Sequence, residues 1–309
     1  MTARLSALTL CVGVLVVLVW CAPMCAVVAA STGQDARAGQ AAAPAIVVPP
    51  PGETQELVLR DGTRAYGRVE RVEGDRVVFR TTVGGVLEVD AAGIASLRTV
   101  QGRVINGEFL PADSNPTRLF FGPTGRSLPR GSGYVAVYEV VAPFVQVGIT
   151  DRISLGAGTP LFYADDTAHP FWITPKVQVL ARPTTQAAVG VMHFTNVSDG
   201  YFGVAYGVVT KGSRDSAVTF GVGYAYAYDR GDGEHDSTAI AMIGGEHRVS
   251  RRVKLITENY VFSGGGIGTF GVRFLGDHLS ADLGLAVPIG AGDFIVFPVV
   301  NFVWRFGRE

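Results

Sequence analysis

Bulky apolar residues alternate with small ones along the C-terminal two-thirds of the chain. From 220 to 228, Phe220, Val222, Tyr224, Tyr226 and Tyr228 alternate with Gly221, Gly223, Ala225 and Ala227. Successive side chains of a strand point to opposite faces, so one face here is bulky and apolar and the other nearly bare. A soluble sandwich turns large residues inward and polar ones outward. A small or mildly polar face opposite the aromatics suits a closed barrel whose bulky face meets lipid. Lipid offers no partner for an open sheet edge, so such strands must close on themselves. The pattern predicts twelve strands, at about 133–142, 144–150, 152–160, 170–181, 185–195, 200–210, 216–228, 237–247, 252–262, 266–275, 279–287 and 294–306. Pro143 leaves a second partition open, with 133–150 as one long strand and Arg118 to Phe121 supplying the first.

The connections carry a second signal. Thr150-Asp151-Arg152, Arg182-Pro183-Thr184, Ser250-Arg251-Arg252 and Gly276-Asp277-His278 are tight, whereas Ala164 to His169, Asp229 to Asp236 and Pro288 to Asp293 are longer. Transmembrane barrels keep short turns on the periplasmic side, which puts both barrel termini there. Composition agrees with the division: 15 of 17 Phe, 9 of 10 Tyr and 28 of 40 Gly follow Leu119.

Ahead of the barrel, short β-prone runs between Thr54 and Val100 are separated by Asp61-Gly62, Glu73-Gly74-Asp75 and Gly84-Gly85, predicting a small closed β barrel over 54–100. The run "LRDGTRAYGRVERVEGDRVVFRTTVGGVLEV" followed by "IASL" resembles an Sm-like or SH3-like small barrel, with Gly67 at the bend of a strongly bent strand. Residues 101–132 read as a connector. Residues 31–53, Ala-, Gly-, Gln- and Pro-rich and ending in Pro49-Pro50-Pro51-Gly52, read as a linker without the apolar periodicity that offsets ordering entropy. Arg4, the uncharged run Leu5 to Trp20 and the small residues Ala26 to Ala30 predict a signal peptide over 1–30, in preference to an uncleaved anchor. Trp20 and Met24 before Cys21 and Cys25 disfavour lipidation.

Charge narrows the partners. The chain is formally at −1 with 17% charged residues, so no basic excess is available for a polyanion. The arginine stripe Arg60, Arg64, Arg68, Arg71, Arg76 and Arg80 is matched acid for base within 54–100, and no nucleic acid partner is expected. All three Cys lie in the first 25 residues, which removes thiolate metal sites and Cys nucleophiles from the rest. No cofactor motif is present, and no Gly-rich phosphate loop follows a strand and opens a helix.

At the C-terminus, Val300, Phe302, Trp304 and Phe306 share one face, with Asn301 and Arg305 on the other. With "GVAYGVV" and "VGITDRISLGAGTPL", this closing strand resembles those of bacterial outer-membrane β-barrels. The resemblance implies residence in the outer membrane of a Gram-negative bacterium, contact with outer-membrane lipid and recognition of the last strand by the outer-membrane assembly machinery. The domain over 54–100 is expected to fold separately in the periplasm and to contact another envelope component or the barrel mouth. An exported soluble β-sandwich is the competing fold.

Period two also sorts the charges. With the bulky face outward, Lys176, Gln178, Glu246, Arg248, Lys254, Glu258, Arg273, Asp282 and Arg305 line the lumen, as a pore constriction or as ion pairs that fill it. Gly156, Gly158, Gly203, Ala205, Gly207, Gly221, Gly223 and Ala225 are expected to leave the inner wall uncovered, and twelve strands enclose more room than the eight whose side chains just fill the interior. A passive pore for small solutes is therefore the expected function. A structural envelope protein anchoring a periplasmic small β domain is the alternative, and a lipid-modifying outer-membrane enzyme the second. For the enzyme, the candidate is His278-Leu279-Ser280, expected at a periplasmic turn away from outer-leaflet lipid. His235 and Asp236 sit in the charged loop "DRGDGEHD", which lacks a calcium-hand register. His193 and His247 read as isolated strand residues. No catalytic, metal or cofactor-binding residue is assigned.

Overall fold

The computed structural model describes residues 53–105, 108–163, 169–197, 200–231, 233–290 and 295–307. The predicted signal peptide, and the predicted linker up to residue 52, lie outside the described residues. The chain divides into two compact units at Ala112/Asp113.

The first unit holds β1 (Thr54–Leu59), β2 (Arg64–Glu73), β3 (Arg76–Thr81), β4 (Val86–Asp90) and β5 (Ile94–Val100) in one antiparallel sheet of order β4-β3-β2-β1-β5. Leu57, Val69, Val77, Phe79 and Ile94 form its core. β2 bends at Gly67, where a Cβ would stand 1.9 Å from the Arg80 carbonyl oxygen, and its register slips between Val69 and Arg71. Among the described residues β4 and β5 do not pair with each other. The unit is thus a bent five-stranded sheet, with a short 3-10 turn (Ala91–Gly93) between its edge strands β4 and β5. Arg64 and Arg98 pair with Glu56, Arg71 with Glu73, and Arg80 with Glu70. A hairpin of β6 (Gly102–Ile105) and β7 (Glu108–Pro111) lies within this unit, Phe109 stacking on Tyr66 with ring centroids 4.7 Å apart. The stretch read as a connector is therefore divided, its first part belonging here.

The second unit is a closed antiparallel barrel. Its strands are β8 (Gly133–Tyr138), β9 (Ala142–Gly148), β10 (Ile153–Gly158), β11 (Phe171–Ile173), β12 (Lys176–Arg182), β13 (Thr185–Val197), β14 (Gly200–Gly212), β15 (Ser216–Asp229), β16 (His235–Ser250), β17 (Val253–Phe262), β18 (Gly265–Leu275), β19 (Leu279–Ile289) and β20 (Phe297–Phe306). β11 and β12 flank Thr174-Pro175 and both pair with β10 and β13, so together they make one strand. Each strand pairs with the next, and β20 returns to β8. That is the twelve-strand barrel the alternation predicts. β8 and β9 are separate strands, turned at Glu139 and Val140, both of which take left-handed φ (48° and 65°).

The outward face is an apolar belt. Val222 is 70% exposed, Phe270 58%, Phe220 53% and Trp304 50%, and charges in the described strands stand outward only at strand ends, as at Arg182, Lys211, Asp229 and Asp236. Water-soluble monomers rarely expose apolar patches beyond a few hundred Å²; a band encircling a closed barrel is a lipid contact. Tyr201, Tyr226 and Tyr228 cluster outward at one end with His193 and His235, and Trp304 packs near Phe306 at the other. Such paired aromatic girdles mark the two membrane interfaces. The turns at 149–152, 183–184, 213–215, 251–252 and 276–278 share the end where β8 begins and β20 ends. The ends of β10, β15 and β19, from which the longer connections leave, lie at the opposite end.

Candidate functional site

The lumen is not empty wall. The segment from Asp113 to Arg130 runs inside the barrel, with Asn115, Thr117, Leu119, Phe120 and Leu128 almost wholly buried. Pro116, Pro123 and Pro129 withhold donors, and the segment pairs with itself only through a short hairpin: Leu119 N–H donates to the Gly122 carbonyl at 2.9 Å, and Thr124 N–H to that of Thr117 at 2.9 Å. A buried backbone without regular pairing must find side-chain partners. The wall supplies them.

Three successive N–H groups at the hairpin tip, of Phe120, Phe121 and Gly122, donate to Glu258 Oε2 at 2.8, 3.1 and 2.9 Å, a backbone nest around a carboxylate. Lys176 Nζ donates to the carbonyls of Thr117, Thr124 and Arg126, and Gln178 to that of Gly125. Arg273 donates to the carbonyls of Asn115, Arg118 and Leu119, Asn301 to that of Phe120, and Arg305 to that of Asp113. A relay of alternating charge then runs Arg126–Glu246–Lys254–Asp113–Arg273–Asp282. Lys254 Nζ lies 2.8 Å from Glu246 and 2.7 Å from Asp113; Arg273 lies 3.3 Å from Asp113 and 2.7 Å from Asp282. Two of its six members, Arg126 and Asp113, come from the inserted segment. Arg248 stands apart at the short-turn rim, where it pairs with Asp215.

The eight charged residues assigned to the lumen from the sequence thus all point inward, six of them onto the inserted segment, while Asp282 reaches it only through Arg273. The sequence reading missed Asp113, Arg118 and Arg126, which sit in the presumed connector. One signal was present: five lumen cations, Lys176, Arg248, Lys254, Arg273 and Arg305, faced three acids.

The inner-wall glycines do not leave free space. Gly244 and Gly284 face the segment, where an added Cβ would approach Leu119 at 2.3 Å and Phe120 at 3.1 Å; Gly156 and Gly158 are covered by Phe144 and Trp172. Gly203, Ala205 and Gly207 point outward, a correction to the expected inner wall, because Phe202 and Val204 are the inward residues of β14.

Beyond the hairpin tip, toward the longer loops, the lumen changes character. A cavity of about 200 Å³ is lined by aromatic and aliphatic side chains, with Arg118, Glu139, Thr174 and Glu258 among its few polar members. Along one wall Phe144 stacks on Trp172 (6.1 Å, 4°), Trp172 on Phe194 (5.6 Å, 27°) and Phe194 on Phe202 (4.4 Å, 9°). The lumen is therefore two-part: a polar half filled by the chain itself and an apolar vestibule above it.

The other candidates are not assembled. Ser280 Oγ is buried without a hydrogen-bond partner, His278 is exposed on its turn, and no hydrogen bond joins them. In the charged loop, Asp229 Oδ1 accepts the Gly231 N–H. His193 bonds the Tyr226 hydroxyl and His247 that of Ser216, both on the outward face. Among the described residues no three His, Cys, Asp or Glu side chains converge as a metal site.

No protein-family model and no curated protein matches the sequence. Among solved structures the chain is similar to the KdgM porin in complex with disordered oligogalacturonate, at 6% identity over 57% of this chain and 98% of that one, TM-score 0.43. It is similar to the NanC porin at 9% identity, over 57% of this chain and 98% of that one, TM-score 0.40. A loop-deletion mutant of OmpT, an outer membrane protein of Vibrio cholerae, matches at 12% identity over 82% of this chain and 96% of that one, TM-score 0.37. The architecture stands on its own strand pairing, and likenesses at these scores add nothing about what passes or binds.

Proposed function

We propose that the protein is an outer-membrane, pore-like β-barrel that is closed at rest by its own segment 113–130 and conducts small solutes only when that segment is displaced. The observation that carries this reading is the hydrogen-bonding of an irregular segment by wall charges, where a lumen built only for rigidity would be filled by wall side chains. An always-open passive pore gains no support from a lumen so occupied. Breaking a buried ion pair costs about 3–5 kcal/mol, which sets the scale of the closed state. Orientation follows from the turns: the short-turn end, where both barrel termini lie, is periplasmic by the habit of outer-membrane barrels, and the first unit is a periplasmic domain that meets an envelope partner. β20, with Phe302, Trp304 and Phe306 outward, is the strand offered to the assembly machinery. The role proposed is non-catalytic.

Planar-bilayer recording tests the proposal. The native protein is expected to be silent apart from brief openings, and a variant lacking 114–126 to conduct steadily, once its heat-modifiable migration shows that the barrel has formed. Steady conductance of equal size in both would overturn the gating role. Silence in both would favour the structural alternative.

A further inference from the structure

The vestibule borders a buried cation that has no acid partner among the described residues. Arg118 is buried, yet its hydrogen bonds go to neutral groups: Nε to the Tyr134 hydroxyl (3.2 Å) and Gln146 Oε1 (3.3 Å), Nη1 to the Phe121 carbonyl (2.8 Å) and the Met192 sulfur (3.7 Å), and Nη2 to Thr174 Oγ1 (3.1 Å). Of the two acids on the cavity wall, Glu258 is taken up by three backbone N–H groups and the Tyr260 hydroxyl, and Glu139 accepts the Val300 N–H. A guanidinium carries five N–H donors in a fork that matches a carboxylate, and a buried charge is costly unless paired. Nη2 has one acceptor for two protons.

The surroundings say what the anion is attached to. The Arg118 guanidinium stands 5.0 Å from the centroid of the Phe144 ring, the first rung of the aromatic ladder that continues through Trp172 and Phe194 to Phe202. A single positive fork at the inner end of a mostly apolar cavity, whose two acids Glu139 and Glu258 each already accept backbone N–H groups, is complementary to a molecule with one carboxylate and a long apolar body. We propose that the vestibule binds an amphipathic monocarboxylate, its head on Arg118 and its apolar chain against the row of rings that Phe144, Trp172, Phe194 and Phe202 make across adjacent strands. The charge lies at the inner end, so the ligand enters head first, as a free acid does. The acyl tail of a membrane lipid would enter tail first and leave Arg118 unpaired. The site rests on the barrel reading but needs no movement of the inserted segment.

The test uses the full chain in detergent with Trp20→Phe and Trp304→Phe, so that Trp172 is the one tryptophan left and reports the vestibule, and 12-bromododecanoate and 12-bromododecanol as quenching probes. The carboxylate is expected to quench Trp172 saturably at a concentration at least about tenfold below the alcohol, the scale of one charge-assisted hydrogen-bonded contact. Arg118→Gln is expected to erase that difference. Because Arg118 also braces the inserted segment, Val204→Phe serves as a second variant: it narrows the cavity without replacing any hydrogen-bond partner of the guanidinium and is expected to weaken both probes. Equal affinity for acid and alcohol in the native protein, or a difference that survives Arg118→Gln, would overturn the proposal. So would quenching by brominated phospholipid vesicles that dodecanoate does not displace, which would assign the cavity to lipid tails. Conductance and binding are separate readouts, so a steadily open native channel would defeat the gate while leaving this site standing.

Discussion

At the scale of single residues, the closed state hangs on a few charges whose partners are backbone groups. Glu258 accepts three N–H donors at the hairpin tip, and hydrogen bonds to a charged group are worth roughly 1.5–3 kcal/mol each. Glu258→Gln keeps the volume but removes the charge and one acceptor oxygen. It is expected to leave the barrel folded while raising the frequency of channel openings, and a variant as silent as the native protein would count against the nest as the latch. Glu139 gives a pH signature. It lies on the β8–β9 turn at the mouth, where burial pushes its carboxyl up to about 7 while the Val300 N–H, donating to it, pulls the other way. A carboxyl raised in the folded state contributes stability that is full below its unfolded value and is lost as pH rises through the folded one. The urea midpoint of the native barrel is expected to fall between pH 4.5 and about 7, and Glu139→Gln to flatten that fall; an unchanged slope would assign the dependence elsewhere. The inward placement of Lys176, Lys254 and Arg273 was legible from period two alone. Asp113 and Arg118 were not, because they lie in a Pro-rich segment with no period from which to read a direction.

At the scale of elements, the strands were legible and their contents were not. Alternation fixes which face a side chain occupies, and tight turns such as 251–252 fix where strands end. Alternation also suggests that one face is bulky and the other bare. That holds on β15, where Gly221 and Gly223 point in, and fails near the loop end, where Phe194 and Phe202 point inward beside outward His193 and Tyr201. Apolar residues on both faces there register a second apolar environment, the vestibule. The β8–β9 turn is a testable weak point. A left-handed backbone costs an L-residue about 1–2 kcal/mol, and β-branched Val140 carries it with φ at 65°. Val140→Gly is expected to raise the unfolding midpoint by an amount equivalent to about 1 kcal/mol, measured by the heat-modified gel shift. At the hairpin tip the demand is reversed. A Cβ on Gly122 would stand 2.6 Å from both Met242 Sδ and the Tyr260 hydroxyl, so Gly122→Ala is expected to dislodge the tip at a cost of about 1–3 kcal/mol.

At the scale of the whole molecule, the two units answer to different solvents and should come apart without loss. The barrel turns its apolar side chains to lipid and its charges inward, so its stability is tied to a membrane or micelle. The first unit buries Leu57, Val69, Val77, Phe79 and Ile94 in an ordinary water-facing core. The segment that closes the lumen belongs, from Asp113 onward, to the barrel's own compact unit. A chain beginning at residue 113 therefore keeps every lumen contact described above, including the relay through Lys254 and Arg273. It is expected to refold into a heat-modifiable barrel that is still silent in bilayers. The complementary fragment, 53–112, is expected to unfold cooperatively in water, though a unit this small is marginal. Phe109→Ala, which removes the ring stacked on Tyr66, is expected to lower its midpoint more than Val83→Ala, a change on an exposed turn. A 113–309 barrel that conducted steadily would show that the first unit, and not the inserted segment alone, holds the lumen closed. The gate would then be a periplasmic input to the barrel instead of a device contained within it.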